Sequence, residues 1–269
     1  TGLPAVLHAL WMAVFSIIKV VLGAVATVVV IGGVCLVVFL GTLGDYLQDD
    51  ILTEAANWSI DDYGMDETSF VYYLDGAGNI QQLQQLYADV KQEWVDYEDI
   101  PQDLINAAVA IEDKRFFEHQ GVDWVTTVQA CVGIFMNSAD AGGSTITQQL
   151  IKNILLKDGN QFADDVTVQR KLMEIFRATE LERRYDKEII LEYYMNIIYL
   201  GQRCDGVKAA AATYFGKELE LLTTAECASL ISITNSPTYY DPYQNFDNNK
   251  ERKEDVLWAM REYGWLEEE

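Results

Sequence analysis

Two carboxylates and a set of cations in the middle of the chain could do chemistry. Glu112 and Asp113 open the block Glu112-Asp113-Lys114-Arg115-Phe116-Phe117-Glu118-His119-Gln120-Gly121, which follows an alanine-rich run and has apolar Val109, Ile111 and Phe116 around it. A carboxylate backed by such neighbours loses part of its hydration and becomes suited to taking a proton from a sugar hydroxyl. The plain alternative is a solvated Glu-Asp pair at a helix end. A second block, Gly142-Gly143-Ser144-Thr145-Ile146-Thr147-Gln148-Gln149, leads into Lys152 and Asn153. Gly-Gly-Ser is a good helix entry, and a helix N-terminus also gathers N–H groups that favour anions. Ser144, Thr145, Gln148 and Gln149 add the uncharged donors and acceptors that sugars require.

The third block is Arg170-Lys171-Leu172-Met173-Glu174. On a helix Arg170, Glu174 and Arg177 share a face, with Lys171 three residues from Glu174. Such a stripe is either a solvated ion-pair ladder or a clamp that turns its cations on a pyrophosphate with Glu174 as a second carboxylate. The fourth block runs from Lys187 through Glu188, Glu192, Tyr193, Tyr194 and Asn196 to Gly201 and has amphipathic spacing, for which core packing is the plain reading.

These blocks need helices to hold them, and the pattern supplies them. From Pro101 onward apolar residues recur at helical spacing over Asp103–Ile111, Ser144–Leu156, Val168–Arg184, Lys187–Leu200, Ala209–Tyr214 and Ala225–Ile233, and Leu257–Tyr263 closes the chain. Before them, Phe70–Leu74 and Ile80–Tyr87 flank the turn Asp75-Gly76-Ala77-Gly78-Asn79, which predicts a small β-hairpin. The body is therefore mainly α with one short hairpin at its entrance. There is no internal repeat and no low-complexity tract.

With 19 basic and 42 acidic residues the net charge is -23, and no basic footprint for nucleic acid exists. Residues 109–220 hold 13 of the basic and 17 of the acidic groups, so the middle of the chain is nearly neutral and best able to receive an anion. Cys35, Cys131, Cys204 and Cys227 show no metal-ligand spacing and read as free thiols. His8 and His119 are the two histidines, which excludes a multi-histidine metal site.

Val20–Leu43 carries no charged residue and is long enough to cross the hydrocarbon core as a helix. A cleaved signal peptide has a shorter apolar core that ends at a small-residue site, so the segment is expected to be an uncleaved anchor. Ala5–Ile18 extends it toward the interface, with Trp11 as an aromatic anchor. Lys19 and His8 precede the span while Asp45, Asp49 and Asp50 follow it, a thin positive-inside signal that favours a cytoplasmic N-terminus and an external body. The expected organisation is an anchor over residues 1–43, a linker over 44–69 and a catalytic domain over 70–269.

In order and spacing the four blocks resemble the signature motifs of glycosyltransferase family 51, the peptidoglycan glycosyltransferases of class A penicillin-binding proteins and monofunctional transglycosylases. Tyr214-Phe215-Gly216-Lys217, Leu222-Thr223, Glu226, Pro237 and Tyr240-Asp241-Pro242 resemble the family's closing segment. The resemblance covers the chain from about Phe70 onward. It implies a lysozyme-like glycosyltransferase core and a small lobe that dips into the membrane, for which apolar Trp124–Met136 is the candidate; a buried helix is the alternative there.

By the same resemblance, Glu112 is the general base that activates the acceptor 4-hydroxyl of lipid II. That oxygen attacks C1 of the growing glycan chain with inversion and release of undecaprenyl pyrophosphate. Glu174 is the second catalytic carboxylate. Lys152, Arg170 and Lys171 surround the leaving pyrophosphate, where a divalent cation such as Mg2+ is a candidate helper. Ser144, Thr145, Gln148, Gln149, Asn153 and Asn196 hold sugars, phosphates or the fold, and His119 is structural. Implied partners are lipid II, the glycan strand, the bacterial cytoplasmic membrane, moenomycin-type inhibitors and other cell-wall synthesis proteins.

Class A proteins continue into a transpeptidase domain with SxxK and KTG motifs, and neither motif follows the four blocks. The chain begins at Thr1 and ends at Leu266-Glu267-Glu268-Glu269, so the expectation is a piece of a longer protein rather than a monofunctional enzyme. Two competing readings are a lysozyme-like lytic enzyme, which has no use for a cationic clamp, and a non-catalytic membrane-tethered scaffold, which has no use for two ordered carboxylates.

Overall fold

The computed structural model describes residues 3–49, 59–60, 69–86, 90–135, 142–157 and 168–266. The chain divides into two units, Thr1–Glu54 and Ala55–Glu269. The described residues of the first form one helix, α1 (Leu3–Asp49). Its stretch Trp11–Cys35 has mean hydropathy 2.6 and is long and apolar enough to cross a membrane. This stretch starts before Val20 and takes in Lys19, whose ammonium sits 4.5 Å from the Phe15 ring centroid. The helix also runs six residues past Leu43, through Asp49. An apolar anchor helix fits a membrane-attached protein.

Most of the expected linker lies outside the described residues. Ser59 and Ile60 are described and belong to the body: Ile60 is fully buried, and the Ser59 hydroxyl lies 3.0 Å from the Tyr185 phenol oxygen. The expected hairpin follows as β1 (Ser69–Leu74) and β2 (Ile80–Leu86), paired antiparallel with a register shift between Val71 and Tyr72. Asp75 closes its turn by accepting from the backbone N–H groups of Ala77 and Asn79 and from the Asn79 amide. Gly78 takes φ 83°, which glycine adopts without a Cβ penalty.

Beyond the hairpin, the described residues of the second unit are mainly helical, as expected. Its helices are α2 (Gln102–Glu112), α3 (Trp124–Phe135), α4 (Ile146–Lys157), α5 (Val168–Arg184), α6 (Lys187–Ile197), α7 (Val207–Phe215), α8 (Thr224–Ile233) and α9 (Phe246–Glu262). Two short strands invisible to periodicity, β3 (Lys91–Gln92) and β4 (Cys204–Asp205), pair in parallel and tie the start of the body to the loop after α6. Helices α2, α8 and α9 pack together, and α4 packs on α5 and α6. Leu104, Ile146, Leu150, Ile190, Leu191, Met195 and Leu230 are fully buried between them.

Helix α9 starts eleven residues before the apolar pattern shows it. Its first buried residue is polar: Asn249 donates to the Ser229 and Tyr240 carbonyls and accepts from the Ser229 hydroxyl. A buried amide with its bonds made is as good a core contact there as an apolar one. Helix α3 presents Trp124, Val125 and Val128 to solvent at 61%, 52% and 59% exposure, so this face is not that of a buried helix. Met136 lies outside the described residues. Cys35, Cys204 and Cys227 are free thiols, and burial pushes the Cys227 thiol up to about 12.

Candidate active site

Six helices contribute to a cleft of about 750 Å³. Glu112 enters it from the last residue of α2; Ser144, Gln148, Gln149, Lys152 and Asn153 come from the entry and first turns of α4, Glu174 from α5, and Tyr194 from α6. Thr234 after α8 and Arg252 on α9 complete the rim. Blocks scattered over the sequence thus share one cavity.

Glu112 is partly buried and held by both carboxylate oxygens. Gln149 Nε2 donates to Oε2 at 2.8 Å, and Thr234 Oγ1 donates to Oε1 at 2.7 Å. The Tyr194 phenol in turn donates to Gln149 Oε1 at 3.5 Å, which turns the amide nitrogen toward Glu112. Burial, and then the negative charges of Glu112 and Asp113, raise the Tyr194 phenol well above its ordinary value, so it stays a donor.

Asp113 has a different task from its neighbour. It is 7% exposed and accepts from the Ile146 N–H at 3.0 Å and from His119 Nε2 at 2.9 Å. The first block is therefore not a solvated pair: Asp113 caps the start of α4 and so fixes the second block against the first. Thr145 is the other cap, taking the Gln148 N–H at 3.2 Å while its hydroxyl donates to the Gly121 carbonyl at 2.7 Å. Two N–H groups that the helix entry offered to an anion are thus taken inside the protein. Gly121, at φ 84°, lies against α5, and a Cβ there would stand 2.6 Å from the Ala178 carbonyl.

Asp113→Ala should therefore destabilise the body strongly, because the buried Ile146 N–H and His119 ring lose a charged acceptor. Such bonds are worth about 1.5–3 kcal/mol each, so a denaturant titration should show a loss of about 3 kcal/mol or more. Asp113→Asn, which keeps one acceptor oxygen, should lose less. Equal losses in the two variants, or a loss near zero, would deny the capping role.

The third block forms a buried cluster rather than a solvated ladder. Glu174 and Arg177 are each 3% exposed. Arg170 Nε lies 3.2 Å from Glu174 Oε1. Lys171 Nζ reaches Glu174 Oε2 at 3.1 Å, Gln148 Oε1 at 3.0 Å and Ser144 Oγ at 2.8 Å. One ammonium thus joins the second block to the third, and neither Lys171 nor Arg170 is among the residues lining the cleft. Lys152 stands exposed on its wall. Arg115 binds Asp123, the residue that starts α3 by accepting from the Thr126 N–H. Burial opposes ionisation of Asp123, but the Arg115 guanidinium and Thr126 override it and hold the carboxyl well below its usual range.

Two expected binding residues sit behind the cleft. Thr145 is buried under the entry to α4, as described. Asn196 is fully buried; its side chain accepts from the Val95 N–H and donates to the carbonyls of Val95 and Glu192. It joins α6 to the segment before α2 and holds the fold. The His119 ring, 8% exposed at its side chain, packs against Phe116 and bonds Asp113. Sequence reasoning missed Thr234 and Arg252. Thr234 is an ordinary residue just past a helix end and gives no signal alone. Arg252 had one, a cation within an acid-rich stretch, but its direction depends on where α9 begins.

The fold and cleft define a mainly helical protein whose partly desolvated carboxylate shares a cavity with Lys152 and Arg252, next to Glu174 and the cations paired with it. A family model described as Transglycosylase matches residues 78–261, and the chain belongs to that family. A protein of Cupriavidus necator that carries the transglycosylase name is 41% identical over 165 residues, covering 61% of this chain and 69% of its own length. Penicillin-binding protein 1F of Bacillus subtilis is 37% identical over 208 residues, 76% of this chain and 28% of that one. Penicillin-binding protein 1A of Escherichia coli is 37% identical over 197 residues, 73% and 22% respectively. The chain thus spans about a quarter of the length of these two penicillin-binding proteins. Among solved structures, penicillin-binding protein 1A of Haemophilus influenzae aligns over 77% of this chain and 20% of its own at 22% identity, with a TM-score of 0.41.

Proposed function

We propose that this chain is a peptidoglycan glycosyltransferase that polymerises lipid II into glycan strands and releases undecaprenyl pyrophosphate. The observation that carries the reading is Glu112, set by two donors into the cavity that also receives Lys152 and Glu174. Glu112 takes the proton of the acceptor 4-hydroxyl as that oxygen bonds to C1 of the donor sugar. The C1–O bond to the pyrophosphate breaks and the leaving group keeps the electron pair. Lys152, Lys171 and Arg170 offset the charge that develops on it, an effect worth most where water is excluded. Glu174 keeps Arg170 and Lys171 in place, while Ser144, Gln148, Gln149 and Asn153 face the sugars.

A divalent cation at the pyrophosphate would find few protein ligands. Glu174 is engaged by Arg170 and Lys171, and among the described residues no group of three or more His, Cys, Asp or Glu stands together to hold a metal. Mg2+ would rest mainly on phosphate oxygens, and no step is drawn through it. The α1 helix anchors the protein in the bacterial cytoplasmic membrane with the catalytic unit on the outer side, and the apolar face of α3 dips toward the lipid. A phosphoglycolipid of the moenomycin type would compete for the same cations, and other cell-wall synthesis proteins are natural partners.

Purified protein in detergent, given labelled lipid II, should yield a ladder of long glycan products on a gel. Shortening of existing strands without any polymer would instead support a lytic enzyme, and no reaction at all would support a scaffold.

A further inference from the structure

Thr234 lies outside all four blocks, yet its hydroxyl is placed between two acceptors at the same distance. Oγ1 is 2.7 Å from Glu112 Oε1 and 2.7 Å from the Ile231 carbonyl. A hydroxyl has one proton and spare lone pairs, so it can serve one of these acceptors at a time and accept from the other side. The second oxygen of Glu112 has no such freedom. Its partner Gln149 Nε2 can only donate, and the Tyr194 phenol on Gln149 Oε1 keeps that amide from turning over.

We propose that Thr234 is the positioning residue that selects Oε1 of Glu112 as the oxygen that takes up the proton. The inference rests on Glu112 acting as the base. With Glu112 ionised, Thr234 donates to Oε1 and holds the carboxylate. When the acceptor hydroxyl forms its bond to C1, its proton passes to Oε1, and the pyrophosphate leaves with the electrons of the broken C1–O bond. The new Glu112 O–H then donates to Thr234 Oγ1, whose own proton turns to the Ile231 carbonyl. Oε2 remains the carbonyl oxygen facing Gln149. Both protonation states therefore keep a full set of hydrogen bonds, and no buried donor or acceptor is left unpaired during the turnover.

Charged and titratable groups from several elements line the same cavity as Glu112: Tyr194 from α6, Lys152 from α4, Glu174 from α5 and Arg252 from α9, with Asp113 next to it on the chain. Lys114 and Asp123 border a second opening beside it. None of these is altered by a change at Thr234, so the hydroxyl's effect on the proton affinity of Glu112 can be read separately.

The test is the pH dependence of kcat/KM for lipid II polymerisation in the unaltered chain and in Thr234→Val, Thr234→Ser and Glu112→Gln, with circular dichroism melts of each. Thr234→Ala replaces the valine variant if the latter melts below the assay temperature. Removing a donor from an ionised carboxylate favours its protonated form. The acid limb should therefore move up by about one pH unit in the valine variant, a loss of about tenfold at the foot of the limb. Thr234→Ser should restore both. An unmoved limb, with activity lowered equally at every pH, would overturn the proposal and leave Thr234 a packing residue. Failure of the underlying reading would show elsewhere: Glu112→Gln would keep activity and the same acid limb.

Discussion

If the proposed function holds, Glu112→Gln should leave a folded protein that no longer makes glycan strands. The substitution keeps the length and shape of the side chain, and its amide oxygen can still accept from Thr234 or Gln149. One of those donors then faces an NH2 group, so a stability loss of about 1 kcal/mol is expected. The chemical loss is far larger, because an amide cannot take the acceptor's proton, and general base catalysis contributes about 10²–10⁴-fold. On a gel of labelled lipid II products the polymer ladder should vanish, while the thermal transition moves by only a few degrees and moenomycin still binds. Long strands from Glu112→Gln would assign the base to another carboxylate. Glu174, which also lines the cleft, would be the one to test next.

Much of this site was legible before any fold was known, and the reason is local. Helix α5 ends at Arg184 in both the pattern and the structure, because its amphipathic spacing depends on its own residues alone. The same holds for the hairpin, whose turn is built from Asp75, Gly78 and Asn79. What escaped was decided by neighbours far along the chain. Asp113 looks like half of an acidic pair until Ile146, 33 residues on, turns its N–H to it. Asn196 has the chemistry of a sugar ligand, yet Val95 occupies its amide from 101 residues away. Thr234 reaches Glu112 across 122 residues. Residue type reports what a side chain can bind; which partner it meets is set by packing.

Lys171→Met and Glu174→Gln should separate two roles inside the third block. Lys171 is 42% exposed while Glu174 is 5% exposed at the side chain. Removing the ammonium releases Ser144, Gln148 and one oxygen of Glu174. Glu174 keeps Arg170, however, and the half-exposed position admits water, so the folding cost is about 1–2 kcal/mol. Methionine keeps most of the stem's volume. Its other cost should fall on the reaction: a charged hydrogen bond to a phosphate is worth about 1.5–3 kcal/mol, so kcat/KM for lipid II should drop by about tenfold to a hundredfold. Glu174→Gln does the reverse. It leaves Arg170 and Lys171 beside a buried neutral amide, and breaking such a pair from one side costs about 3–5 kcal/mol. Its melting temperature should fall well below that of Lys171→Met. Activity should fall as well, because the two cations lose the group that aims them. In the double variant, the stability cost should be less than the sum of the single costs, since the residues touch. Additive stability costs, or a Lys171→Met protein that melts as early as Glu174→Gln, would mean that the ammonium holds the fold rather than the leaving group.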